Sequence, residues 1–332
     1  MAVTTVARAT REGDGGRRQE LAEGGDAGRR VQGVVTGLIL FGPLAGTVVA
    51  IVSLFGRGVD ALDLVLGVAF YMVSGHGVTA GFHRLLAHRG YVARRWTRIA
   101  LCVAGSLAFE GSPLSWVALH RRHHAYTDVE GDPHSPHLHT GGRWPRLRGT
   151  MHAHAGWLLK APEADIERWA PDLAKDRDIT TISRLFPLLC VVSLGAPALL
   201  GWAISGTLAG AVGGFVWGGL VRVFVLQQAT FAVNSACHLW GTRPFVTRSR
   251  DRSTNLAVLC IVSMGESWHN AHHANPRWAR HGVDRRQIDS TARLIRILQR
   301  FGLASEVQWP SKDGVEAKRR RAGAATEPSP VG

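Results

Sequence analysis

Apolar and polar blocks alternate along the 332-residue chain. A bilayer core of about 30 Å needs roughly 20 mostly apolar helical residues, so an apolar block of that length predicts a spanning helix. Four blocks meet this requirement, namely residues 31–55, 62–82, 185–206 and 207–233. Only short connections separate the members of each pair. The pattern therefore predicts an all-α multi-pass membrane protein whose four transmembrane helices form two hairpins.

Two further apolar stretches and one charge qualify this pattern. Residues 99–109 and 255–264 are too short to cross and are expected to form interfacial or buried helices. Arg222 interrupts the fourth block, and its charge must face protein, water or the interface rather than lipid tails.

Polar segments define the domain boundaries and the orientation. Residues 1–30 and 312–332 lack apolar periodicity and are predicted to be a disordered arm and tail, which leaves 31–311 as the membrane domain. Lys and Arg are concentrated outside the hairpin turns, and positively charged loops stay in the cytoplasm. The sequence therefore predicts a cytoplasmic helical cap, formed by 83–184 and 238–311, with both termini on the same side. The plasma membrane is the expected location.

The formal net charge of +14 could also attract nucleic acid. Because the arginines flank apolar spans, the lipid bilayer is the expected partner and nucleic acid is not. The four cysteines lie in apolar surroundings without CxxC spacing and are interpreted as buried filler.

Histidines are clustered near the predicted cytoplasmic ends of the spans. The spacing HxxHH occurs twice, at His120, His123 and His124 and again at His269, His272 and His273. Residues i, i+3 and i+4 lie on one face of an α-helix, so each cluster presents three imidazoles together. Packing imidazoles in this way is costly unless a metal ion binds them.

Two further pairs lie at span ends. His83 and His88 are five residues apart, which is about 140° on a continuous α-helix. The second span is therefore expected to end at His83, with His88 turning back toward it. Asn234 and His238 are four residues apart at the end of the fourth span.

These histidines are too many for one ion, because tetrahedral zinc takes four ligands. Two metal ions would account for them, and imidazole suits iron, zinc, copper or nickel, so spacing does not select the metal. Asp128, Asp132 and Glu266 are predicted to hold imidazole N–H groups rather than metal, with a solvated or capping role as the alternative. The other histidines, including His134 and His281, are interpreted as loop or polar-contact residues.

The chain resembles the membrane fatty acyl desaturases of the stearoyl-CoA Δ9 type, in the bacterial form without a fused cytochrome b5 domain. The resemblance covers about residues 35–305. The segments GVTAGFHRLLAHRGY, HRRHHAYTDVEGDPHSP, HAGWLL, NSACHLWGTRPF and GESWHNAHHANP follow in the family's order. It implies four spanning helices and a cytosolic cap that holds a non-heme di-iron centre.

The resemblance also implies roles for single residues. Asn234 matches an asparagine that reaches one metal through water, and Trp116 matches a tryptophan near the bend of an acyl tunnel. The matching iron ligands are His83, His88, His120, His123, His124, His238, His269, His272 and His273.

The implied reaction uses O2 to remove two hydrogens from a saturated long-chain acyl group and leaves a cis double bond. Acyl-CoA and the Δ9 position are the first expectation, with a phospholipid or a carrier protein as alternative acyl carriers. Abstraction of an unactivated hydrogen is beyond acid–base side chains and requires the metal. The sequence has no cysteine cluster for an iron–sulfur centre, so a separate reductase or electron-transfer protein is expected.

Two other functions fit parts of the pattern. A di-iron membrane hydroxylase shares the oxidant but inserts oxygen, and its boxes have different spacing and contain Glu. A divalent-metal transporter would line a path across the bilayer with histidines, whereas here they gather at one end of the spans.

Overall fold

The computed structural model describes residues 26–159 and 165–319. This part of the chain is almost entirely helical. Two short strands within it, β1 (Val92–Ala93) and β2 (Ala304–Ser305), pair antiparallel. The fold class predicted from the apolar pattern is thus confirmed as mostly helical.

The described residues contain fourteen α-helices. They are α1 (Asp26–Arg57), α2 (Ala61–His76), α3 (Arg95–Ser106), α4 (Pro113–Tyr126), α5 (Pro145–His154), α6 (Ile166–Trp169), α7 (Pro171–Ala174), α8 (Arg177–Arg184), α9 (Phe186–Ser205), α10 (Leu208–Gly213), α11 (Arg222–Ser235), α12 (His269–Ala274), α13 (Ser290–Arg300) and α14 (Lys312–Lys318). Two π-helices, Gly77–Ala87 and Gly214–Val221, continue α2 and α10, and 3₁₀ turns occur at Gly156–Leu159, Ala236–His238 and Ala257–Leu259.

Three helical stretches are long and apolar enough to cross a membrane, namely Ala61–Ala87, Phe186–Ser205 and Leu208–His238. They correspond to the second, third and fourth predicted spans, and the predicted third and fourth spans begin one residue earlier than these helices. The first predicted span lies in α1, whose apolar part Thr36–Val52 is shorter and includes Pro43. Its crossing of the bilayer stays a prediction.

The second span differs from its predicted end at residue 82. It continues as a π-helix to Ala87, so His83 lies inside the helix rather than at its end. A π-helix closes its hydrogen bonds over five residues, and the His88 N–H donates to the His83 carbonyl at 3.1 Å. This turn places residues five apart on nearly one face of the helix. On an α-helix, the same two residues would be about 140° apart.

Arg222 faces protein, as the sequence predicts, and is buried. Its guanidinium donates to the carbonyls of Gly218 at 2.8 Å, Leu107 at 2.7 Å and Ser193 at 2.8 Å, and to the Ser193 hydroxyl. The side chain therefore links the third and fourth spans to the end of α3.

The two short apolar stretches have different structures. The first forms most of α3, which packs on the π-helix Gly77–Ala87. The second does not form the expected α-helix: it has a 3₁₀ turn at Ala257–Leu259 followed by irregular turns, and Met264 and Gly265 at its end both have positive φ. Val258 and Ile261 are exposed on this segment, whereas Met264 is buried.

The predicted arm and tail lie mostly outside the described residues. Helix α1 nevertheless begins at Asp26, within the predicted arm, and α14 occupies the start of the predicted tail. Ser311 caps α14 by accepting a hydrogen bond from the Gly314 N–H at 3.1 Å. Arg319 then pairs with Asp284 and holds the segment against the fold.

Candidate metal centre

Helices α4 and α12 bring the two HxxHH clusters face to face. Ser112 caps α4 by accepting from the Ser115 N–H, and Pro113 occupies its first turn, so the helix begins where the sequence can satisfy its N-terminus. The remaining histidines come from the ends of the second and fourth spans.

All nine histidines predicted as ligands converge in two adjacent groups. Within each group the potential ligand atoms lie within 4.8 Å of one another. The five-histidine group contains His83, His88, His120, His124 and His272, and the four-histidine group contains His123, His238, His269 and His273. Spacing alone left this division open. Helix α4 serves both groups because its neighbouring residues His123 and His124 point to different sides.

Carboxylates bind the outer ring nitrogens of several of these histidines. The Nδ1 atoms lie 2.6 to 3.0 Å from carboxylate oxygens in four pairs, which are His83 with Glu266, His123 with Asp132, His238 with Asp128 and His273 with Asp251. The sequence analysis names the first three carboxylates as expected partners of imidazole N–H groups. Asp251 was missed because it lies between boxes, where spacing gives no signal.

The pKa of each of these four carboxyl groups lies below its ordinary value. Burial would raise the pKa of Asp132, but the adjacent His123 holds that pKa well below its usual range. Burial likewise opposes ionisation of Asp251, and the hydrogen-bonded His273 again holds the pKa low. A carboxylate partner orients the imidazole and binds the proton on Nδ1, so Nε2 is the atom that faces a metal ion.

The inner nitrogens fit a bound cation. The Nε2 atoms of His123 and His273 are 3.4 Å apart, and both rings donate their Nδ1 protons outward. Two lone pairs facing each other at this distance repel unless a cation lies between the rings. Burial also lowers the pKa of His88, His120, His124, His269 and His272 well below the ordinary value, which keeps these ligands neutral.

Two of the histidines interpreted as loop or polar-contact residues, His134 and His281, are buried beside the groups. The His134 ring stacks on His123 with centroids 4.3 Å apart, and the His281 ring lies 4.5 Å from His272. Glu266 holds His83 and also accepts from the Arg84 guanidinium at 2.9 Å. No spacing rule in the sequence points to His134 or His281.

A largely apolar cavity borders imidazoles of both groups. His83, His120 and His269 line it, and its other walls are largely apolar, with Gly75, Val78, Leu226, Ala229, Val233 and Met264 among them. The cavity holds about 50 Å³, room for a few water-sized groups. A long apolar chain would fit only if the walls moved. The name acyl cavity is used for it below.

Trp116 and Asn234 both line the acyl cavity. The indole of Trp116 stacks on the His120 ring at a centroid distance of 4.9 Å and an interplanar angle of 21°. Its Nε1–H donates to Glu110 at 3.2 Å, and the Thr230 hydroxyl donates to the same carboxylate at 2.8 Å. Sequence reasoning missed Glu110, which joins the two walls of the cavity.

Apolar helices of spanning length, two groups of buried imidazoles and an apolar cavity together define a class: membrane-associated metalloproteins with a hydrophobic substrate. Within that class, the chain belongs to the fatty acid desaturase family, whose family model matches residues 61–296. The resemblance seen in the histidine boxes is thus confirmed. The protein is an oxidoreductase that acts on fatty acyl chains.

Curated relatives differ in the carrier of the acyl group. The chain is 38% identical over 83% of its length, and 86% of the relative, to the hex-5-enoyl-[acyl-carrier protein] acetylenase of Moorena producens. It is 33% identical to the sn-1 stearoyl-lipid 9-desaturase of Anabaena variabilis, with 73% and 82% of the two chains covered. The icosanoyl-CoA 5-desaturase of Limnanthes douglasii is 36% identical over 71% of this chain and 62% of its own.

Proposed function

We propose that the protein introduces a cis double bond into a saturated long-chain fatty acyl substrate, with O2 as co-substrate and two non-heme iron ions as cofactor. The observation that carries the proposal is the convergence of nine imidazoles in two adjacent groups, three of which line a largely apolar cavity. Nitrogen-rich sites of this kind suit iron, and a methylene chain is the ligand that suits the cavity walls.

The five-histidine and four-histidine groups would each hold one iron ion, and Asn234 would contribute through a water molecule. When bound, iron supplies the O2-derived oxidising power needed to remove hydrogen from an unactivated methylene. Asp128, Asp132, Asp251 and Glu266 keep their imidazoles oriented by accepting from Nδ1.

The walls of the acyl cavity position the chain. Trp116 lines the cavity and stacks on His120, and the bonds from Trp116 and Thr230 to Glu110 connect the two walls. A chain held in this way would keep one pair of methylenes next to the imidazoles while water is excluded. This arrangement supports Trp116 as a residue of the acyl tunnel.

For the substrate we propose acyl-CoA, with the double bond at Δ9. The CoA-dependent relative supports the carrier, and the stearoyl-lipid 9-desaturase supports the position. A lipid-linked or carrier-protein-linked acyl group is the alternative. In the membrane we propose four spans, with the metal centre and both termini in the cytoplasm and the plasma membrane as the location.

One relative favours a second candidate activity. The Moorena protein is an acetylenase, so further oxidation of an unsaturated chain to a triple bond is the alternative reaction. Feeding cells that express the protein with stearic acid or with oleic acid would separate the two reactions. A desaturase makes a monoene from the first acid, whereas an acetylenase makes an alkyne from the second.

Replacement of His123 by Ala tests the proposal in the same cells. Loss of this buried ligand leaves three imidazoles in its group, so we expect iron content to fall by about half and unsaturated product to disappear. Mass spectrometry with double-bond location gives the product, and His139→Ala, outside both groups, is the matched control. Full activity of His123→Ala would contradict the proposed metal site.

A further inference from the structure

A second cavity reaches the metal centre from outside the acyl cavity. It measures about 410 Å³ and is named the polar cavity here. Its polar lining residues are His124, Thr127, Thr247, Arg248, Asp251, His273 and Lys318. None of the residues that line it also lines the acyl cavity. The centre can therefore be approached by two different molecules at once.

The polar cavity meets one histidine from each group. His124 belongs to the five-histidine group and His273 to the four-histidine group. Their rings stack with centroids 4.4 Å apart and an interplanar angle of 27°. A molecule bound in this cavity thus lies next to one imidazole from each of the two histidine groups.

The rim of the polar cavity is cationic. The Arg248 and Lys318 side chains are exposed, and Arg248 is anchored by donating to the His124 carbonyl at 2.9 Å. The one lining carboxylate, Asp251, is buried and bound to His273 at 2.9 Å. Its negative charge is directed to the imidazole, so an approaching molecule meets the two cations first.

The proposed function requires electrons from outside the chain. Removing two hydrogens from the acyl group supplies two electrons and two protons to O2. Two more electrons and two more protons are needed to complete two water molecules. An electron-transfer protein supplies the electrons one at a time, and the solvent supplies the protons.

We propose that the polar cavity is the docking surface for an acidic one-electron carrier protein. The proposal rests on the proposed function, because only a redox reaction needs such a partner. Electron transfer slows steeply with distance, which favours the surface next to His124 and His273. An acyl head group is not the expected occupant, because it must be continuous with the chain in the acyl cavity.

Binding of an acidic [2Fe–2S] ferredoxin to the full-length, iron-loaded protein in detergent tests this proposal. Calorimetry should show binding that weakens as salt rises, since the attraction is between exposed charges. The double variant Arg248→Glu/Lys318→Glu should bind at least tenfold more weakly. Lys318→Glu alone, whose side chain is exposed, should give a smaller loss without disturbing the bond at His124.

The matched control is Arg293→Glu/Arg300→Glu, which makes the same change of charge on α13, away from both cavities. It should keep ferredoxin affinity within about twofold. Equal weakening by both double variants, no binding by the wild type, or a loss of acyl-CoA affinity instead would overturn the proposal. Desaturation by the wild type with dithionite as reductant tests the proposed function separately, since it needs no docking.

Discussion

At the scale of single residues, the candidate centre includes side chains that bind its imidazoles and would not touch a bound metal ion. Asp251 is the clearest case, because it was not predictable from the boxes and yet holds His273 in place at 2.9 Å. Partners of this kind are commonly as important to metal affinity as the ligands themselves.

Asp251→Asn is therefore expected to lower iron affinity or activity about 10- to 100-fold. The amide cannot take the negative charge that fixes the His273 proton on Nδ1. Iron content after dialysis against a graded chelator gives the measurement. Asp313→Asn, an exposed residue of α14, serves as the control. Identical iron retention in both variants would show that the Asp251 carboxylate has no such role.

Glu110 predicts a pH dependence of stability. Burial raises its pKa to about 7, and the bonds from Thr230 and Trp116 only partly oppose that rise. Because the folded-state pKa exceeds the unfolded value of 4.5, the folded protein holds the proton more tightly. This tighter proton binding stabilises the folded protein. The stabilisation is complete below the unfolded pKa and is lost as pH rises through about 7.

The wild type should consequently lose more thermal stability between about pH 5 and pH 8 than Glu110→Gln, which cannot ionise. Parallel melting curves of the two proteins across this pH range measure the difference. If the melting temperatures of both proteins shift equally with pH, the Glu110 carboxyl is not the cause of the pH dependence.

At the scale of elements, the π-helix Gly77–Ala87 determines the geometry of the first histidine pair. It packs against α3 at Gly77, where a Cβ would collide with the backbone of Ala104 and Gly105. Close backbone contact thus holds the segment that bears His83.

Gly77→Val should push α3 away from the π-helix and displace His83. Overpacking of this kind costs about 1–3 kcal/mol, so we expect a lower melting temperature together with reduced iron content. Gly195→Ala is the matched control, because an added Cβ there meets open space within the third span. A Gly77→Val protein with normal iron and stability would refute the packing argument.

The elements also show what sequence can predict. Spans two to four followed from apolar length, and α4 followed from the spacing of His120, His123 and His124, because both are local patterns. The π-helix and the irregular 255–264 segment did not, since they depend on contacts between distant elements. Asp251 and Glu110 were missed for the same reason.

At the scale of the whole molecule, the candidate metal centre borders two unlike cavities. The acyl cavity is lined mainly by the spans and their neighbours, and the polar cavity has a cationic rim. Charge and hydropathy along the chain predict a membrane side and a polar side. The split of nine histidines into five and four needed the three-dimensional arrangement.

The fate of oxygen in a single turnover tests the central claim most directly. Iron-loaded protein, a stoichiometric reductant, stearoyl-CoA and ¹⁸O₂ would be mixed, and the acyl product examined by mass spectrometry. The account predicts a product that has lost two hydrogens and contains no ¹⁸O, with the label recovered in water. A product that contains ¹⁸O as a hydroxyl group would contradict desaturation and identify a hydroxylase.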